Sequence, residues 1–138
     1  PACLTLHGSL KDRPDLIFAG QLTGVEGYTE SAASGILAGV NLGRVLRGEA
    51  PVVPPPTTML GGLFRYLRES AADRFQPMNS NWGLVDPLNR RVKDKVRKRG
   101  MLAERAETDF RTWMEGNGIE GPRGAPVEAS VRAEALPP

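Results

Sequence analysis

Residues 15–48 read DLIFAGQLTGVEGYTESAASGILAGVNLGRVLRG, and the fold turns on how this stretch is taken. Its opening run, Leu16-Ile17-Phe18-Ala19, is too short and too uniformly apolar to alternate, so it predicts a buried strand. Gly20, Gly24 and Gly27 predict a loop after it. From about Thr29 to Arg47 the pattern is helical, with Ala32, Ala33, Ile36, Leu37, Val40, Leu42, Val45 and Leu46 on a broad face and Gly48 as the expected C′ residue. Each helical Gly costs about 1 kcal/mol relative to Ala, and close approach of another backbone or of a ligand is the expected compensation. A strand ending in glycines lets a ligand reach the backbone, and the helix start offers unpaired N–H groups and the positive dipole end. A phosphate or an electron-rich ring edge suits such a place. The glycines do not make G-x-G-x-x-G, and their spacing alone fits a tight structural turn equally well.

The chain has 138 residues and a net charge of +2, the size and balance of one ordinary domain. No apolar run approaches the ~20 residues that span a bilayer, and the first residues, PACLTLHG, have no signal-like pattern. The expectation is a cytoplasmic protein. Cys3 is the only cysteine and His7 the only histidine, which rules out an internal disulfide and argues against a metal site. Pro1 stands where an initiator Met would, so the expectation is a carboxyl-terminal fragment. Charge is unevenly spread: residues 90–99, RRVKDKVRKR, carry seven basic residues and one acidic one.

Outward from the glycine loop, Cys3, Leu4 and Leu6 could form an edge strand before the turn Lys11-Asp12-Arg13-Pro14. After the helix, residues 49–56 form an extended linker with Pro51, Pro54, Pro55 and Pro56. Thr57 is the expected cap of a second helix to about Ala72, with Met59, Leu60, Leu63, Phe64 and Leu67 as its apolar stripe and Arg65, Arg68 and Glu69 facing water. Residues 75–84, FQPMNSNWGL, have no period and read as an amide-rich loop anchored by Phe75, Met78 and Trp82. Asp86-Pro87 predicts the cap and first position of a long helix to about Glu115, with Leu88, Val92, Val96, Ala103, Ala106, Phe110 and Trp113 as its stripe and a possible kink at Gly100. From residue 117 the composition predicts a disordered tail.

The wording AGQLTGVEGYTESAASGILAGVN, with FQPMNSNWGL downstream, resembles the folate- and FAD-dependent tRNA (uracil-5-)-methyltransferases, which form 5-methyluridine at position 54 in the T-loop of bacterial tRNA. A sister family of FAD-dependent tRNA wobble-uridine modification enzymes carries a related loop, G-T-T-G-Y-E-E-A-A. Here Gly24-Val25-Glu26-Gly27-Tyr28-Thr29-Glu30-Ser31-Ala32 favours the methyltransferases. The resemblance implies an α/β fold in which this chain is the carboxyl-terminal part of a Rossmann-like, glutathione-reductase-type FAD domain. Residues 1–48 would then be the flavin-contacting strand-loop-helix and 57–116 a helical part. It implies FAD, 5,10-methylenetetrahydrofolate and NAD(P)H as cofactors and tRNA as partner. A one-carbon unit passes from the folate by way of the flavin to C5 of a uracil activated by cysteine attack. The family's pyrophosphate loop and nucleophilic cysteines are not in this sequence, so no catalytic residue is assigned and the chain alone is expected to be inactive.

Carried over residue by residue, the resemblance places Gly20, Gln21, Thr23, Gly24, Val25, Glu26, Gly27 and Tyr28 at the flavin. Amides around Glu26 to Tyr28 would face its pyrimidine edge. Glu26, Tyr28, Gln76, Asn79 and Asn81 are the candidates for the folate pocket. Independently of any resemblance, Arg90, Arg91, Lys93, Lys95, Arg97, Lys98 and Arg99 form a basic run suited to RNA phosphates; a solvated charged face would have the same composition. Two other readings stay open: a fragment of the wobble-uridine enzymes, and a small non-enzymatic RNA-binding helical protein that works through residues 90–99.

Overall fold

The computed structural model describes residues 3–121. Three helices carry the fold: α1 (Tyr28–Leu46), α2 (Met59–Glu69) and α3 (Lys95–Gly116), with a 3₁₀ turn over Gly20–Thr23 leading into the first. The disordered tail expected from residue 117 lies, from 122 on, outside the described residues; 117–121 close the end of α3.

The expected strand at residues 16–19 is not formed. Among the described residues β pairing is limited to three isolated bridges, Leu4 with Leu10, Ser9 with Ile17 and Val25 with Met78. The physical reason is partnership. A strand is stabilised by ladders on its edges, and Ile17 and Phe18 meet only the turn around Gly8, where the Phe18 amide donates to the Gly8 carbonyl at 2.9 Å. Leu16 is correspondingly 40% exposed. Residues 3–18 thus form a tight meander in place of an edge strand and a buried one, and of the expected α/β character only the helices are seen.

Helix α1 matches its expected span, and its end is a Schellman motif: Gly48 (φ +74°) donates to the Val45 carbonyl and Glu49 to that of Arg44. Its inward stripe is narrower and more polar than expected. Ser34, Leu37 and Asn41 are buried, while Ile36 and Leu46 are more than 70% exposed. Asn41 clamps the linker through both amide atoms, accepting from the Val52 amide at 2.7 Å and donating to its carbonyl at 2.9 Å. Nothing among the described residues approaches Gly35 or Gly39; the close approach expected on α1 falls instead on α2.

Thr58, not Thr57, caps α2, accepting from the Gly61 amide at 3.0 Å. Gly61 passes under the carbonyls of Pro54 and Pro55 and Gly62 under that of Leu84, so closely that a Cβ would lie 2.1 and 2.4 Å from the nearest oxygens. Leu63 and Leu67 of α2 and Val25 of the glycine loop form the core, with Tyr66, Phe75, Met78 and Leu84 packed on it. Arg65 and Arg68 do not simply face water. Arg65 pairs with Asp86 at 2.6 Å and donates to the Leu84 carbonyl at 3.2 Å, and Arg68 turns toward the glycine loop.

Helix α3 starts eight residues later than expected. The Asp86 carboxylate is taken by Arg65, the Asp86 amide donates to the Pro56 carbonyl, and Arg105 donates to the carbonyls of Asp86 and Pro87, so this backbone is held between α2 and α3 and does not enter a helix. Asp94 is the cap, accepting from the Arg97 amide at 2.7 Å. The register changes with it: Val96 is 83% exposed, Ala103 also faces water, and Leu102 is buried. Phe110 and Trp113 face α1 across an apolar cleft of about 340 Å³ with Ile36, Val40 and Leu60.

Candidate functional site

The fold brings two of the expected site elements together. The glycine loop and the FQPMN loop pair in parallel at Val25 and Met78, the Met78 amide donating to the Gly24 carbonyl at 2.9 Å and the Glu26 amide to the Met78 carbonyl at 3.2 Å. Gly24 permits this. Its φ is +93°, and a Cβ there would stand 2.4 Å from the Phe75 ring and 3.2 Å from Leu67.

A second tie lies in the first turn of α1. The Glu30 carboxylate accepts from the Ser80 hydroxyl at 2.7 Å and from its amide at 3.2 Å. These bonds hold the Glu30 carboxyl below the ordinary glutamate range, the Ser80 hydroxyl being the largest cause. The same carboxylate folds over Gly27, where a Cβ would be 1.8 Å from Oε2 and 2.9 Å from the Asn79 side-chain oxygen. Gly27, Glu30, Asn79 and Ser80 therefore meet at the start of α1. Glu30 and Ser80 were not singled out by sequence. A Glu at the third helical position behind a Gly cap is the available signal, since that cap has no side chain to reciprocate.

Each expected flavin contact has a definite place. Gly20 (φ +68°) is bare beside Ser31, whose buried hydroxyl has no partner among the described residues. The Gly20 amide donates to Ser34 Oγ at 2.8 Å, and the Thr23 hydroxyl donates to the Gly20 carbonyl at 2.8 Å. Thr23 is thus spent on the 3₁₀ turn. Val25 is wholly buried in the core, so its side chain offers no ligand contact. The Glu26 amide is spent on Met78, which corrects the expectation that amides from Glu26 to Tyr28 all face a ligand; those of Gly27 and Tyr28 have no partner among the described residues. Gln21 and Glu26 are exposed, and Tyr28 is 95% exposed.

Of the folate candidates in the second loop, Gln76 and Asn79 are exposed, and Asn79 lies against Gly27. Asn81 serves its own turn, accepting from the Gly83 amide at 2.9 Å and donating to the Asn79 carbonyl at 3.2 Å.

Beneath the glycine loop, Arg68 donates to the Thr23 carbonyl at 3.4 Å, while its Nε and Nη2 are buried without partners among the described residues. Burial lowers its pKa from the ordinary arginine value. Near the amino terminus His7, Ser9 and Thr5 form a hydrogen-bonded chain, with Ser9 Oγ 2.9 Å from both neighbours. Ser9 is buried, and burial lowers the His7 pKa. No group of three or more metal-ligating side chains occurs among the described residues, and no described helix is long and apolar enough to cross a membrane.

The basic run is divided by the late start of α3. Arg90, Arg91 and Lys93 lie on the irregular segment before the helix, and Lys95, Arg97, Lys98 and Arg99 on its first turns. All seven are exposed, and none forms an ion pair among the described residues.

Compared with known proteins, residues 2–50 match a family model described as glucose inhibited division protein A. Curated relatives match more of the chain. It is 55% identical over 114 residues to the methylenetetrahydrofolate–tRNA-(uracil-5-)-methyltransferase TrmFO of Geobacter sulfurreducens, covering 83% of the chain and 26% of the relative. The protein of the same name from Persephonella marina is 55% identical over 101 residues, 73% of the chain and 23% of the relative. That from Lacticaseibacillus paracasei is 48% identical over 121 residues, 87% and 28%. The chain spans about a quarter of the length of these curated relatives.

Proposed function

We propose that the chain, which is 55% identical over 114 residues to a methylenetetrahydrofolate–tRNA-(uracil-5-)-methyltransferase and spans 26% of it, is the flavin- and folate-contacting quarter of such an enzyme, acting on the T-loop uridine of tRNA in the cytoplasm. The observation that supports this best is the joining of the glycine loop to the FQPMN loop through Val25 and Met78, which sets the two stretches assigned to flavin and folate side by side.

The residues present fit a flavin. Gly20 has no side chain to keep a ring away, Ser31 offers a buried hydroxyl without a partner, and the unpaired amides of Gly27 and Tyr28 open the positive end of α1. Those amides, with Gln21, would hold the flavin's polar edge. The amides favour negative charge there and withdraw it from water. FAD, when bound, supplies the carrier of the one-carbon unit, and NAD(P)H the reducing equivalents. Glu26, Tyr28, Gln76 and Asn79 border the loop pair and would hold the folate, the exposed ring of Tyr28 stacking on its pterin. The basic residues of 90–99 would position the tRNA backbone.

A chimaera tests this. Exchange of the matching segment of the Geobacter sulfurreducens relative for this chain's 114 residues should leave flavin content and folate-dependent 5-methyluridine formation within about tenfold of the parent, and Tyr28→Ala within it should weaken folate binding. A folded chimaera devoid of flavin would refute the assignment.

A further inference from the structure

The seven cations of residues 90–99 are not equivalent in space. Arg90, Arg91, Lys93 and Arg97 line one cleft of about 350 Å³ with Val92, Asp94 and Met101, whereas Lys95, Lys98 and Arg99 do not line it. The late start of α3 creates the cleft. Residues 90–93 run as irregular chain beside the first turns of the helix, so side chains from two segments converge where one continuous helix would have splayed them around its circumference. Arg90 is held against the helix, its Nη2 3.6 Å from Met101 Sδ. Asp94 is the one acidic side chain on the cleft, and its carboxylate is engaged by the Arg97 amide at 2.7 Å, which leaves a net of three positive charges with no internal counter-ion.

Three guanidinium groups around a concavity present planar forks suited to a phosphate, which Lys side chains meet only as point charges. We propose that this cleft is a discrete phosphate clamp that seats one or two adjacent backbone phosphodiesters of RNA, and that Lys95, Lys98 and Arg99 contribute only a diffuse field. The identification of the anion as an RNA phosphodiester rests on the tRNA-modifying reading above; the convergence of the four cations does not. The clamp fixes where the RNA backbone crosses the chain and reads no base.

Two triple variants of the full 138-residue chain, R90A/R91A/R97A and K95A/K98A/R99A, remove the same net charge from the two groups. Their binding to a fluorescent 17-nucleotide T-arm RNA hairpin is measured from 50 to 200 mM salt, with far-UV circular dichroism confirming that each keeps its helices. Each phosphate held contributes about 0.7–0.9 to the slope of log K against log salt. The cleft variant should therefore lose about that much slope per phosphate and bind at least tenfold more weakly at 50 mM, while the other variant keeps its slope within about 0.3 of the parent. A DNA hairpin of the same sequence should show the same contrast. Equal losses in both variants would overturn the clamp and leave RNA binding standing. An unmodified chain that binds neither hairpin would overturn both the clamp and the tRNA reading of this segment, and flavin incorporation by the chimaera would then be judged on its own.

Discussion

Substituting Gly27 by Ala should sever the Glu30–Ser80 tie between the two loops without touching either residue of that tie. Gly27 sits at φ −73° and ψ 146°, a conformation any residue adopts, so backbone strain contributes nothing. The new Cβ would lie 1.8 Å from Glu30 Oε2 and 2.4 Å from its Cδ. Ordinary van der Waals separation is about 3.5 Å, so the carboxylate must retreat by well over 1 Å. That movement breaks its bonds to the Ser80 hydroxyl (2.7 Å) and amide (3.2 Å). Charge-assisted hydrogen bonds contribute ~1.5–3 kcal/mol each when buried; at this half-exposed position the pair is worth about 1–2 kcal/mol. Ala in place of Gly at the cap adds about 0.5 kcal/mol, for a total near 2 kcal/mol. Glu30 is held below its ordinary pKa of 4.5, so its contribution is fully present above that pH and is lost as pH falls through the depressed value. Urea unfolding at pH 7 and pH 3 reads both effects. The parent should lose part of this tie's contribution as the pH is lowered from 7 to 3; G27A and E30Q should lack it at pH 7 and lose nothing further from it. Their double variant should be little worse than either alone. If G27A keeps the parental stability and acid dependence, or if the two substitutions are additive, the Glu30 carboxylate adds nothing to the Val25–Met78 pairing of the loops.

Substitutions elsewhere in the fold test its packing in the same way. Gly62→Ala must push the Leu84 carbonyl away from 2.4 Å, against the hold of Arg65 and Asp86, and should cost about 1–3 kcal/mol in urea unfolding; Gly35→Ala, with nothing within 4 Å, should instead stabilise by up to about 1 kcal/mol. Asn41→Leu strands the Val52 amide and carbonyl and should cost about 2–4 kcal/mol, with Asn41→Asp recovering only the acceptor half. Arg68→Met should change stability by less than about 1 kcal/mol, because the buried guanidinium has one long hydrogen bond and two nitrogens without partners; a loss above 3 kcal/mol would mean that Arg68 anchors the glycine loop.

What the sequence disclosed and what it withheld divide along the range of the forces involved. Helix α1 could be read because its period and its Gly48 stop act within a few residues, and the amide-rich loop could be read as a loop for the same reason. The strand at 16–19 could not, since composition gives a strand's side chains but not its ladder partners, and Ile17 finds only Ser9. The start of α3 was expected at Asp86, whereas the helix is capped by Asp94, a residue of the same type. No local rule separates them, and the choice is made 21 residues away by Arg65, which takes the Asp86 carboxylate at 2.6 Å. That one contact also decides the candidate site's electrostatics. With Asp86 as the cap, seven cations would have lain around a single helix. With Asp86 occupied, residues 90–93 stay irregular, Asp94 becomes the cap, and four cations gather at one cleft. The glycine loop is the converse case: Gly20, Gly24 and Gly27 were visible at once, but their separate duties were not. Gly24 makes room for Phe75 and Leu67 and Gly27 for Glu30, which leaves Gly20 as the glycine whose open side no described residue fills beyond van der Waals contact with Ser31, and the one at which the proposed flavin would approach the backbone.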